Sequence, residues 1–459
     1  MNKLLFNEFD SVSSKQWKQI IQFDLKGLDY NEVLIWKSNE DIAVKPFYHA
    51  DEFKEALKTS NTKASQWGIC QSIFVADVKK SNKKALNAIE RGAESIKFII
   101  PSKTVSIEHL IQNIDLSRTS IYFELQFQSE AFINSLSSIP NKENIFVLSD
   151  IIGNLSRSGN WFSSLQEDHR NFETIVKNTN TISIDASLYQ NAGATMVQQL
   201  AYALAHVNEY LNHFNNVTAR NEMTWRSFKI IFQVSVGTNY FFEIAKLRAL
   251  RILWETIRSE YQIISDCLII ATPTKRNKTL YDYNTNMLRT TTECMSAVLG
   301  GANTICNLPY DAIYHKDNEF GERIARNQLL VLKHESYFNK VDNPSDGSYY
   351  IETLTNQMGG ESLELFKNIE SSGGFLKQLK EGTIQRKIKE SAAKEQQLFD
   401  EGKEILLGSN KHPNNKDRMK HELELYPFVK TNQRKTIIEP IIEKRLAEKL
   451  EQERLKKED

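Results

Sequence analysis

Residues 182–195 read ISIDASLYQNAGAT. The opening residues alternate as a half-buried strand does. Small and polar residues follow, and from Met196 the apolar spacing of MVQQLAYALAHVNEYL is that of a helix. A strand therefore stops close to Asp185, and a helix begins beyond NAGAT. In parallel α/β proteins such junctions lie at the C-terminal ends of the strands, where reacting groups are placed. What Asp185, Ser187, Leu188 and Tyr189 can do at this junction bears directly on what the chain does.

The same alternation of strand and helix runs in both directions. The β-branched runs predict strands at Gly68–Val75, Ser95–Ile100, Ser120–Phe127, Asn144–Ile151, Thr181–Ser187, Phe228–Ser235, Cys267–Thr274 and Ala302–Leu308. Helical segments such as NKKALNAIERGA, YFFEIAKLRALRILWETIR and GERIARNQLLVLKHES separate or follow them. Eight such units predict a (β/α)8 TIM barrel over residues 61–340, with a doubly wound open sheet as the alternative. Residues 1–60 read as an N-terminal extension with a helix around Ser14–Leu25, and residues 341–459 as a helical C-terminal segment. In the tail EPIIEKRLAEKLEQERLKKED, Ile442, Leu446 and Leu450 are expected on one helical face.

Lys+Arg and Asp+Glu number 58 each, which argues against a nucleic-acid or anionic-membrane binder. The start carries no secretory pattern and no run is long and apolar enough to span a bilayer, so a cytoplasmic protein is expected. Cys70, Cys267, Cys294 and Cys306 form no CxxC and read as buried thiols. His206 and His213 share a helix without a visible third ligand, so packing is expected rather than metal binding. At the strand ends, Asp150 with Asp185 is a candidate acid/base pair, and Lys275–Arg276 a candidate anion site or a solvated loop. Pattern and spacing name no substrate.

Longer blocks carry a resemblance. NAGATMVQQLAYALAHVNEYL, GTNYFFEIAKLRALRILWETI, LRTTTECMSAVLGGANTI, FGERIARNQLLVLKHES and VDNPSDGSYYIETLT resemble methylmalonyl-CoA mutases, in order and over nearly the whole chain. The resemblance implies an acyl-CoA mutase-like barrel. Catalytic members of that family carry a Tyr-His pair at the end of strand five, where this chain has Ser187 and Leu188. Leucine can neither donate a proton nor hydrogen-bond a thioester carbonyl. The family's aromatic substrate loop is shortened to NTKASQWGICQSIF, its QND motif is replaced within SDIIGNLSRSG, and its HxQTSGW by KRNKTLYDYN. What survives of an acyl-CoA pocket is expected at Trp67, Gln71, Gln190, Gly237 and Asn239.

The cobalamin-binding signature DxHxxG does not occur in the sequence, and no cobalamin-binding domain is expected. The resemblance therefore implies a non-catalytic small subunit with no metal and no cofactor of its own. Its partner would be a large subunit carrying adenosylcobalamin, in a heterodimer that interconverts methylmalonyl-CoA and succinyl-CoA. Two alternatives stay open: an active split mutase barrel served by a separate cobalamin-binding protein, and a stand-alone acyl-CoA-binding module.

Overall fold

A computed structural model describes residues 8–54, 57, 59–60, 62–136, 139, 142–218, 227–430 and 434–458. Eight strands form one parallel sheet: β1 (Gly68–Phe74), β2 (Ser95–Ile100), β3 (Ser120–Leu125), β4 (Ile145–Leu148), β5 (Thr181–Asp185), β6 (Lys229–Val236), β7 (Cys267–Pro273) and β8 (Thr304–Cys306). They are hydrogen-bonded in the order β4-β3-β2-β1-β8-β7-β6-β5. This is the predicted (β/α)8 barrel, nearly closed. Among the described residues no backbone ladder joins β4 to β5.

Before the barrel comes α1 (Ser14–Asp24), opened by a capping box between Ser13 and Gln16. Around it run α2 (Val78–Glu90), α3 (Glu130–Ser135), α4 (Ile151–Ser158), α5 (Leu165–Thr179), α6 (Ser187–Asn191), α7 (Met196–Thr218), α8 (Tyr240–Glu260), α9 (Thr285–Leu299) and α10 (Glu319–Leu330). After it follow α11 (Tyr349–Ser371), α12 (Phe375–Lys380), α13 (Thr383–Asp400) and the short α14 (Glu448–Leu455).

Alternation along the strands sorts the core into two layers. Outward residues Ile96, Phe98, Ile121 and Phe123 pack with Ala85 and Ala88 of α2. Inward residues Cys70, Tyr122, Phe146, Leu148, Ile231, Ile270 and Cys306 form a separate cluster inside the barrel. Tyr122 Oη lies 3.0 Å from Thr304 Oγ1 across it. Bulky side chains thus fill the interior, as in a packed barrel core.

The β4–β5 seam is tied by side chains. Asp150 caps α4, accepting from Gly153 N at 2.7 Å, and its other oxygen accepts from Asp185 N at 2.8 Å. Tyr210 Oη and His206 Nε2 of α7 also donate to it, at 2.6 and 2.9 Å. Tyr210 in turn accepts from Ile152 N at 2.9 Å. The other ring nitrogen of His206, Nδ1, lies 3.0 Å from Tyr189 Oη.

Three sequence-based boundaries are corrected. Strand four stops at Leu148 rather than Ile151, because the Asp150 cap already starts α4. Strand eight is shorter than expected, Thr304–Cys306. The tail is helical only over Glu448–Leu455. Upstream of it Pro440 interrupts any helix, and the backbone bonds elsewhere on the barrel. Ile442 is accordingly exposed while Leu446 is buried, so the two do not share one helical stripe.

Asp150→Asn is expected to destabilise the fold by about 2–4 kcal/mol at pH 7, measured by urea unfolding. Burial raises the Asp150 carboxyl, but His206, Asp185 N and Tyr210 outweigh it and hold it below its ordinary value. Its stabilisation is therefore full above the unfolded-state carboxyl range, ~4, and is lost as pH falls through the depressed native value. The variant should lack that part of the acid sensitivity. Equal urea midpoints for the two proteins at pH 7 would refute the seam's role.

Candidate functional site

The barrel mouth, at the C-terminal ends of the strands, is crossed by the chain's own tail. Ile437 N and Ile438 N donate to Gly159 O, Ile441 N to Ser156 O, Lys444 N to Asn191 O and Leu446 N to Arg276 O. These acceptors lie at the C-terminal end of α4, on α6 and in the loop after β7, so residues 437–446 form a strap over β4, β5 and β7. Gly159 permits its close approach. Its φ is 77°, and a Cβ there would sit 2.7 Å from Ile438 O.

At the end of β5, Ser187 Oγ donates to Asp185 Oδ1, and Ser187 N bonds the same oxygen at 3.1 Å. The other Asp185 oxygen accepts from Arg157 Nη2 at 2.6 Å, and Arg157 Nη1 reaches Glu443 Oε1 of the strap at 2.8 Å. Leu188 is 1% exposed and belongs to the main apolar core. Asp150 and Asp185 do meet, but through the Asp185 backbone and not as two facing carboxyls. Of the Lys275–Arg276 pair, Lys275 is exposed while Arg276 is buried, ion-paired with Glu395 at 2.6 Å and donating to Lys444 O at 2.8 Å.

Gln190, Gly237 and Asn239 come together on the lining of a cavity of about 330 Å³, beside the N-terminal hairpin of Trp36–Lys37 and Ala43–Val44. Two of the three are already engaged. Glu243 Oε1 accepts from Gly237 N at 2.7 Å and Gln190 Nε2 at 2.9 Å. Lys246 Nζ pairs with Glu243 at 2.6 Å and donates to Gln190, Gln199 and Ser235 O. Trp67 and Gln71 do not line this cavity. Trp67 is buried just ahead of β1 under Lys333, whose ammonium lies 4.9 Å from its ring centroid, and Gln71 faces α10, accepting from Arg326 at 3.2 Å.

Sequence reading missed three parts of this arrangement. His206 lies in the middle of α7, so no strand-end rule selects it, yet it is buried against Asp150. Glu443 and Arg157 are separated by 286 positions. Glu40 stands in an irregular extension, yet its carboxylate accepts from Val197 N at the start of α7, at 3.1 Å. Among the described residues no group of three or more His, Cys, Asp or Glu is arranged to hold a metal ion, and no helix is long and apolar enough to cross a membrane. All four cysteines are free and buried.

The family model described as methylmalonyl-CoA mutase matches residues 102–457. This chain belongs to the methylmalonyl-CoA mutase family. It is 34% identical over 447 residues to a protein named methylmalonyl-CoA mutase small subunit from Porphyromonas gingivalis, covering 89% of this chain and 71% of that one. A second small subunit, from Streptomyces virginiae, is 24% identical over 454 residues, 88% of this chain and 71% of that one. The methylmalonyl-CoA mutase of Rhizobium meliloti is 36% identical over 240 residues, 51% of this chain and a much smaller share, 33%, of its own length.

For this member of the mutase family the cavity carries a charge that can be read out. Burial pushes the Glu40 carboxyl up to about 7, against hydrogen bonds from Val197 and Met196. A carboxyl raised on folding stabilises fully below its unfolded value and loses that contribution as pH rises through its native one. Glu40→Gln should therefore raise the melting temperature at pH 8 by about 2 °C or more and leave it unchanged at pH 4. Equal melting temperatures at both pH values would place Glu40 in solvent.

Proposed function

We propose that this chain is the small, non-catalytic subunit of an adenosylcobalamin-dependent methylmalonyl-CoA mutase. It pairs in the cytoplasm with a longer chain that binds the corrin and interconverts methylmalonyl-CoA and succinyl-CoA. The observation that carries the proposal is the end of β5. Where the family's catalytic chains hold a polar pair, Ser187 is bound to Asp185 and Leu188 is sealed in the core. A buried leucine supplies no proton and no oxyanion contact.

The mouth supports the same division of labour. The strap crosses the strand ends that a flat corrin would have to face, and Arg157 is held between two carboxylates of this chain. The residues present do not fit the cofactor. The small-subunit names of the two relatives favour a partner chain.

The N-terminal arm supplies a surface for that partner. In α1 no residue is buried, and Trp17, Ile20 and Phe23 are exposed, Phe23 to 84%. Phe9, Leu28 and Trp36 extend the exposed apolar set. Such a patch on a soluble chain marks an interaction site. The expected interface is in the obligate class, above ~2,000 Å².

Co-expression with a mutase chain that carries DxHxxG should yield a 1:1 complex that turns over methylmalonyl-CoA. This chain alone, and its Leu188→His variant, should show no turnover with adenosylcobalamin, because one side chain does not restore a multi-residue site. Deleting residues 1–40 should weaken co-purification while the circular dichroism of the barrel persists. Turnover by this chain when supplied with a separate cobalamin-binding protein and adenosylcobalamin would establish the split-enzyme alternative, and failure of the full-length chain to co-purify would remove the subunit reading.

A further inference from the structure

The strap does more than cover the mouth, because it delivers a carboxylate to a prepared cationic site. Arg157 is turned by Asp185, which takes its Nη2 at 2.6 Å and leaves Nη1 directed at Glu443 Oε1, 2.8 Å away. Asn191 is oriented from the other side. Its Oδ1 accepts from Thr274 Oγ1 at 2.7 Å and Lys275 N at 3.0 Å, which turns Nδ2 toward the same Glu443 oxygen at 3.4 Å. Burial works to raise the Glu443 carboxyl, but Arg157 and Lys275 outweigh it and hold the group below its ordinary value. Arg157 and Asn191 belong to the barrel and are placed by contacts other than those with Glu443. Removing that one carboxylate leaves a guanidinium edge and an amide converging on one point.

We propose that Arg157 and Asn191 form a carboxylate-binding site at the barrel mouth, and that Glu443 occupies it as a built-in competitor for small free carboxylates. The ligand class is a mono- or dicarboxylate small enough to reach Arg157 once the strap lifts between Ile441 and Leu446. The site is independent of the subunit assignment, since it is built from this chain alone. A strap serving only as a mechanical clasp would need its main-chain bonds to Ser156, Asn191 and Arg276, but not a charged side chain aimed at Arg157.

The test titrates malonate into the full-length chain and its Glu443→Ala variant, followed by calorimetry. The variant should bind at least ~10-fold more tightly than the native chain, the equivalent of one charge-assisted pair released from competition. Adding Arg157→Ala should abolish the gain. Equal affinity of native chain and variant would overturn the proposal, as would a gain that persists without Arg157. A second measurement uses the native chain alone. Malonate, compared with chloride at equal ionic strength to remove screening, should speed hydrogen exchange at the amides of Lys444 and Leu446. Unchanged exchange there would overturn the proposal even if the variants failed to fold.

Discussion

The Asp150 carboxylate holds the barrel together between β4 and β5, where no backbone ladder runs among the described residues. Seven of the eight strand neighbours are joined by parallel ladders, and the eighth is bridged by this side chain with its four donors. A buried charge is stable only when paired and fully hydrogen-bonded, and here both oxygens are used. The same group starts α4, anchors α7 through Tyr210 and His206, and sets the height of β5 through Asp185. It thereby holds the end of β5 at Asp185, two residues before Ser187.

Around that arrangement the polar groups of the mouth are engaged by the chain's own side chains. The strand ends of a barrel normally present polar groups to a substrate. Here Asp185 is spent on Arg157 and Ser187, Gln190 on Glu243 and Lys246, and Arg276 on Glu395 and the strap. The inward cluster of Tyr122, Phe146 and Ile270 fills the axis below. The polar residues at this mouth bond chiefly to one another.

The architecture was legible in the sequence because period-2 and period-3.6 patterns are local, and the eight strands alternate with helices strongly enough to be counted. Leu188 was legible as a departure because it stands inside a block with a recognisable frame. The strap was not legible: its partners are main-chain carbonyls hundreds of residues away, and Pro440 and the charged pattern after it give no hint of where the segment lies. The expected helical stripe of Ile442 and Leu446 failed for the same reason, since tertiary hydrogen bonds outweighed local propensity. The resemblance groups Trp67 and Gln71 with Gln190, but the pleat turns Gln71 outward and Trp67 lies before the strand begins. Similarity places residues along a chain, and only the fold decides which of them face each other.

The strap also fixes an order of events during synthesis. Ribosomes deliver the chain from its N-terminus, at about 5–20 residues per second. All eight strands are therefore made before residues 437–446 exist. For several seconds or more the nascent barrel has an uncovered mouth, with Arg157 facing Asp185 alone and Gly159 bare. Completion of this surface is a late docking step by a segment that brings its own counter-charge, so the newborn protein passes through a form more open than the mature one.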